Sequence, residues 1–493
     1  NGRSVRVSLE CGIKEVAFCG SDTPRTEEAL RVRRMIAWWM YVVTLMVAGS
    51  QSTQAQGLRV GVFNVDASPP VGSWMAYDPT TKVLIPLSAR GIVILGADAP
   101  VVLSSVDWLG IGNGGQREFR EAMADAAGTT FERTAIHTVH QHDAIWCDPT
   151  VDALCAENGL SYRPFDTAFA RVVMQRVREA VVVAIASAEP VTHVGLGEGI
   201  VEKVASNRRV QGPDGRVIHV RWSSVKDEIV RAFPEGTIDP VLKMMSFWNG
   251  EKPLVAVSLY ATHPQSYYRT GEANPDFPGI ARNLRQEVTG VPHLHFNGAG
   301  GNITAGKYND AAHENRAILA ERVAAGMERA WKTTIRTPIE LKEVAWKSVP
   351  VHLPPAKHLR EESLASTLAD PSKPQMERFR CAQQLAWLRR CHSEDTIDVA
   401  CLSIGKARLI TMPGELFVEY QLAAQRLRPD LFVGMASYGE YAPAYIGTAV
   451  SYGQGGYETQ PDSSHVAPES EGILMRAVAQ VLDVDPSKVP PLR

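Results

Sequence analysis

The sequence predicts an α/β protein: a mixed, largely buried β-sheet core flanked by helices, forming one large domain over residues 57–493. Three observations carry this. Strand-like and helix-like segments alternate along the whole chain. Leu254–Thr262 (LVAVSLYAT) is a continuous apolar run, as expected of a strand buried on both faces. Polar and histidine-bearing stretches recur just after strands, where loops build sites.

Composition sets the outer bounds. The 493 residues are 45% hydrophobic with a net charge of −3, enough apolar material for a large core. No basic excess or basic run points to a nucleic-acid partner.

The amino-terminal part divides into two. Residues 1–34 form an extension with no readable fold. Ile36–Ala48 is an apolar run preceded by Arg31, Arg33 and Arg34 and followed by small and polar residues as far as Ala55. That order predicts a secretory signal peptide at 35–55, and hence a secreted or periplasmic protein. A membrane-tethering helix is the competing reading of the same run.

Export permits disulfides. Cys147 and Cys155 flank a Pro-containing loop (CDPTVDALC) that could close a small disulfide ring. Cys381 and Cys391 fall on one helical pattern, roughly 15 Å apart along its axis, too far to bridge.

Along the chain, Val60–Asp66 alternates and runs into Ala67-Ser68-Pro69-Pro70, a strand entering a turn. Ala89–Leu95 and Pro100–Val106 form a strand pair. A helix is expected over 118–127 and a strand over 131–138. Phe169, Val172, Val173 and Val177 recur at helical spacing within a long helix over 165–188. Strands follow near 191–196 and 219–222, then the central strand 254–262, a helix over 280–289, a strand over 292–296 and a helix over 311–333. Residues 342–353 read as a strand, and the polar stretch to Lys373 as an exposed insertion. A helix over 375–390 precedes a hairpin of 396–404 and 407–412 that turns at Gly405. Pro413-Gly414-Glu415 is expected to open a helix to about Leu427. A strand at 431–436, a Gly/Tyr-rich loop at 438–458 and a helix at 469–482 complete the chain. No repeat and no dividing linker is visible.

The chemistry gathers at Thr134–Asp143 (TAIHTVHQHD). If the strand continued, alternation would place His140 and His142 on one face and His137 on the other. Paired imidazoles at a strand end suit a divalent metal, or else two hydrogen-bonded loop histidines. His263 ends the central strand and can complete a metal shell or simply be a capped core histidine. Glu415 can be a ligand or a carboxylate favoured by a helix dipole. The Gly298-Gly300-Gly301 loop offers backbone N–H groups to an oxyanion, or is a tight turn. Thr304 in that loop is a hydroxyl for chemistry or a cap. The tyrosines Tyr438, Tyr441, Tyr445, Tyr452 and Tyr457 read most simply as an aromatic cluster. His293 and His295 repeat the His-x-His spacing and form a rival pair, more simply read as ordinary strand residues.

Seven segments, in order, resemble the catalytic domain of the neutral ceramidases, zinc-dependent amidases that cleave the N-acyl bond of ceramide. They are Val65–Gly72 (VDASPPVG), His140-Gln141-His142-Asp143-Ala144, Ser206-Asn207-Arg208, Ala261-Thr262-His263-Pro264, Gly301-Asn302-Ile303-Thr304, Pro413-Gly414-Glu415, and Tyr445-Ile446-Gly447-Thr448 with Tyr457-Glu458. The resemblance implies one Zn2+ per chain held by His140, His263, Glu415 and Tyr445. It implies His142 as general acid to the leaving amine, and Arg208 and Tyr457 steadying the tetrahedral oxyanion. Thr304 would occupy the family's serine position and orient substrate. The implied substrate is a small-molecule or lipid amide, and peripheral contact with a membrane surface would follow from a lipid one.

The chain departs from the pattern at Asp143 and Thr304, which replace serines, at Ile145 for a proline, and at Asn302 for an acidic residue. The family's carboxy-terminal immunoglobulin-like domain is expected to be missing. Amide hydrolysis is therefore the firmer expectation, ceramide the weaker. Two further readings stand beside it: a two-metal amidohydrolase barrel using His140-x-His142, and an exported, non-catalytic metal-containing binding protein. A metallo-β-lactamase would need His-x-His-x-Asp-His, which Asp143 in direct succession to His142 does not supply.

Overall fold

The computed structural model describes residues 57–492. The extension 1–34 and the expected signal peptide 35–55 lie outside the described residues. Three sheets make up the core. The first is ordered Thr134–Thr138, Asp98–Val106, Ser88–Gly96, Arg59–Asp66, Glu189–Pro190. The second is ordered His293–Asn297, Lys252–Tyr260, Val241–Asn249, His193–Ile200, Ile335–Pro338. The third is ordered Phe432–Ala436, Ala407–Thr411, Ile397–Ile404, Val344–Val351.

These orders are one pattern used three times. In each sheet three successive strands form an antiparallel meander. The third strand then pairs in parallel with a fourth. A parallel pair needs a crossover, and a helix supplies it each time: Gly114–Ala127, Asp276–Thr289 and Val418–Leu427. A second helix follows each fourth strand: Thr167–Ala186, Glu314–Lys332 and Ser470–Val481. In the first two sheets it leads to a short fifth strand on the far edge. The chain therefore is internally repetitive. The expectation of no repeat fails because the repetition is one of topology, with loops of different length and no shared residues to announce it.

The inner faces of all three sheets meet in one apolar cluster. Ile92, Ile94 and Leu103 come from the first, Phe247, Val257 and Phe296 from the second, and Leu402, Leu409 and Ala436 from the third. Helices cover the outer faces, with Phe119, Met123 and Val177 packed on the first sheet and Leu319 and Val323 on the second. The inner strands of the first two sheets are thus buried on both faces, which is why strands such as Ser88–Gly96 read as near-continuous apolar runs. The expected α/β architecture is what forms. The barrel of the amidohydrolase reading is not present among the described residues.

Three local expectations are corrected, and one strand had not been expected. The polar stretch before Lys373 contains a helix, Glu361–Ala369, whose Leu364 and Leu368 are buried against the next helix. Its apolar residues are four apart on one turn-face, a signal that the flanking charges masked. Glu415 does not open a helix; Glu415–Leu416 is a short strand and the helix begins at Val418. Cys147 and Cys155 are free and buried, not bridged, with burial raising both thiols, that of Cys155 to about 12. The ring fails because Cys155 lies inside the helix Pro149–Glu157, which holds the intervening residues apart. Val241–Asn249, the middle strand of the second sheet, had no clear signal because its Lys243 and paired methionines break both apolar continuity and alternation. Among the described residues, no helix is long and apolar enough to cross a membrane.

Candidate metal and active site

Each repeat delivers its polar residues from the loops that follow its two parallel strands. The first contributes His140 and His142 after Thr134–Thr138. The second contributes His263 after Lys252–Tyr260. The third contributes Glu415 after Ala407–Thr411, and Tyr438, Tyr441 and Tyr445 after Phe432–Ala436. Carboxyl ends of parallel strands are where crossovers leave room for a site.

The two histidines of the first repeat are not strand residues. The strand ends at Thr138, and His140 is left-handed at φ 66°, a conformation a β-carbon disfavours. Two contacts hold it there. Its N–H donates to Trp108 O at 2.9 Å, and its Nδ1 lies 2.7 Å from Leu109 O. The second contact makes Nδ1 the protonated nitrogen and leaves Nε2 free as an acceptor. The ring also stacks on Tyr438, with centroids 4.4 Å apart.

Glu415 and Tyr445 are direct partners in a short parallel pairing, so one backbone register fixes both. Glu415 Oε1 accepts the Tyr441 hydroxyl at 2.9 Å. Its Oε2 lies 3.2 Å from His140 Nε2 and 3.8 Å from His263 Nδ1. His263 Nε2 in turn is 3.3 Å from His142 Nε2. The loop Gly298–Gly301 threads between the segments that carry His263 and Glu415. A β-carbon on Gly300 would fall 2.1 Å from Thr262 O, and one on Gly301 2.2 Å from Glu415 O. These glycines are required for close packing, which settles the loop as a tight passage.

The donors fit a divalent cation. One nitrogen each from His140, His142 and His263 lie within 4.8 Å of one another, and all three side chains are buried. His140 Nε2, His263 Nδ1 and Glu415 Oε2 are buried without a hydrogen-bond partner. Leaving three converging polar atoms unsatisfied is costly, and a shared cation removes the cost. Burial lowers His142 and His263 well below the ordinary imidazole range, so both rings are neutral, the form that ligates. Burial works against the Glu415 charge, but His140 and Arg208 outweigh it and hold the carboxyl below its ordinary value.

Arg208 stands beside this cluster. Its backbone N–H donates to Asn302 O at 2.7 Å, and its Nη1 donates to the Tyr445 hydroxyl at 3.0 Å. The guanidinium lies over the rings of Tyr445 and Tyr457, at 5.5 and 5.7 Å. The buried Glu458 carboxylate is 3.9 Å from Arg208 Nε. Thr304 is elsewhere. Its hydroxyl donates to Arg221 O at 3.2 Å and accepts from Gly306 N, and its backbone pairs with Ser206. It supports the short strand leading to Arg208 and does not line the cavity.

That cavity has a volume of about 690 Å³ and is lined by His140, His142, His263, Glu415, Arg208, Tyr445 and Tyr457. Trp146, Tyr162 and Phe379 form an apolar wall, their rings 5.3 to 5.7 Å apart edge-on. Tyr77 stacks on His142, with planes 6° apart. Sequence reasoning assigned no role to Tyr77, Tyr441 or Glu458. Tyr441 was visible only as one member of a tyrosine series and Glu458 only as the neighbour of Tyr457 in a matched segment, and nothing local marks Tyr77. The rival pair resolves against metal: His293 and His295 stay within their strand, and His295 Nδ1 meets Ser258 Oγ at 2.9 Å.

No family sequence model matches the chain, and no curated relative does. Solved structures do match. A ceramidase complexed with C2 is similar with TM-score 0.63 and 16% identity, covering 89% of this chain and 77% of its own. The neutral ceramidase from Pseudomonas aeruginosa gives TM-score 0.61 at 16% identity, covering 87% of this chain and 75% of its own. At that identity the likeness is one of architecture: this chain has the fold of the neutral ceramidases.

Proposed function

We propose that this chain is an exported, zinc-dependent amidase of ceramidase type that hydrolyses an N-acyl amine. The observation that carries the reading is the convergence of His140, His263, Glu415 and Tyr445, with Arg208 and Tyr457, on one cavity in the ceramidase fold. Those four residues would hold the zinc. When bound, the metal supplies Lewis acidity toward the carbonyl and lowers the pKa of water to about 7. In the net reaction, water oxygen joins the acyl carbon, the C–N bond breaks, and the amine departs with a proton. His142, neutral at rest, supplies that proton at the nitrogen once it has taken up the one that the water gives up. Arg208 and Tyr457 face the oxygen on which charge develops. The apolar wall of Trp146, Tyr162 and Phe379 accommodates an acyl chain. The signal-like segment at 35–55 supports a secreted or periplasmic location.

The grouping of His142 with His140 and His263 favours a second assignment, in which His142 is itself a ligand. Elemental analysis separates the two. The purified chain should hold a single zinc, lost in His263→Ala and Glu415→Ala. His142→Ala should keep zinc while turnover of N-acyl amines collapses. Loss of zinc with His142 makes it a ligand, and a chain that takes up no zinc at all overturns the reading.

A further inference from the structure

We infer that the amine portion of the substrate carries a carboxylate, and that Arg269 recognises it; the preferred substrates are N-acyl amino acids, not neutral N-acyl alkanols. The inference rests on the amidase reading above and names its substrate class.

The starting point is an arginine without an acid. Arg269 lines the cavity and is exposed to it. The other two guanidiniums of the cavity are engaged, Arg208 with Tyr445 and Glu458, and Arg380 with Asp462 at 2.7 Å. Arg269 makes no ion pair among the described residues. Asp78 feels its charge from beyond pairing distance and is itself taken up by Gly271 N–H at 3.0 Å.

The backbone holds Arg269 in place at a conformational cost. Its φ is 63°, in the left-handed region that side chains avoid. Asp143 secures it: one carboxylate oxygen accepts Arg269 N–H at 2.8 Å, and the other accepts the Thr270 hydroxyl at 2.8 Å. Strain retained by specific bonds at a cavity wall marks a residue whose placement matters. The guanidinium is also aimed, lying over the rings of Tyr77 and Tyr268 at 5.2 and 5.3 Å.

Direction follows from the neighbours. Tyr77, under Arg269, is the ring stacked on His142. His142 is the group that meets the leaving nitrogen, so Arg269 faces the amine side and not the acyl side. A guanidinium there is matched by a planar carboxylate, which it can bind through two parallel hydrogen bonds. Hydrolysis then takes an N-acyl amino acid and water to a fatty acid and a free amino acid.

Binding tests this without requiring turnover. The probes are the ketomethylene isosteres of N-dodecanoylglycine and of its carboxamide, in which CH2 replaces the scissile N–H. Titration calorimetry on the zinc-loaded full chain should show the acid binding about tenfold to a hundredfold tighter than the carboxamide. Arg269→Gln should abolish that preference, and Arg269→Lys should retain part of it, with melting curves for both matching the parent. Equal binding of the two probes by the parent chain, or a preference that survives in Arg269→Gln, overturns the inference. Cleavage of N-dodecanoylglycine and N-dodecanoylglycinamide is assayed separately. Acid-selective binding without cleavage of either counts against the amidase reading and leaves the recognition standing.

Discussion

The chain contains two His-x-His pairs, and their fates differ completely. His293 and His295 lie within a strand, so their rings are carried to fixed positions in the packed interior, near Trp331 and Ser258. His140 and His142 lie two and four residues beyond a strand end, where the backbone turns through a left-handed residue and both rings join His263 and Glu415. Spacing is shared; position relative to the strand terminus is not. A histidine inside a buried strand becomes core, whereas one past its carboxyl end meets the ends of the other two sheets.

The largest expected contrast is between the two clusters as metal sites. Glu415→Gln should remove zinc and bring N-acyl amine turnover to background, while His295→Gln retains both. Zinc content and turnover measured on the same preparations check this, and zinc loss in His295→Gln would erase the distinction.

A smaller effect is expected around the first cluster. Tyr441 donates to Glu415 and so orients a proposed ligand without being one. Tyr441→Phe should weaken zinc binding by about tenfold to a hundredfold, read by chelator competition, with the melting temperature little changed.

The second cluster should appear in acid stability instead. Burial lowers His293 and His295 to about 3, and His137 to about 4, from 6.5. The unfolded chain therefore binds protons that the folded chain refuses. Stability from these groups is present above pH 6.5 and is lost as pH falls through the window toward 3–4. Each contributes a slope of about 1.4 kcal/mol per pH unit there. Denaturant unfolding between pH 7 and 4.5 should show His295→Gln with a shallower decline than the parent. The smallest expectation is a null effect: with all five described cysteines free, dithiothreitol should not shift the melting temperature.

Much of this was legible in the chain. Long strands and helices announced themselves because burial on both faces demands apolar runs, as in Leu254–Thr262. The proposed ligand set came from a resemblance of short ordered segments, and the structure brings its members to one cavity. What local reading misplaced were the joints. Glu415 looked like the start of a helix because Pro413-Gly414 precedes it, yet pairing with Tyr445 makes it a strand. The polar insertion hid a helix because its two buried leucines were outnumbered by charges.

The sequence by itself determined which residues could take part: hydrophobic periodicity is a local property, and so are the histidines, glutamate and tyrosines placed after each strand. Only the tertiary structure decided which of them meet. The threefold use of one sheet topology, the convergence of three strand ends on a single cavity and the unpaired state of Arg269 all depend on contacts between residues more than a hundred positions apart, such as His142 with His263 and Arg208 with Tyr445. Such contacts arise from packing three apolar sheet faces together, and no local pattern in the chain encodes which loops that packing will bring side by side.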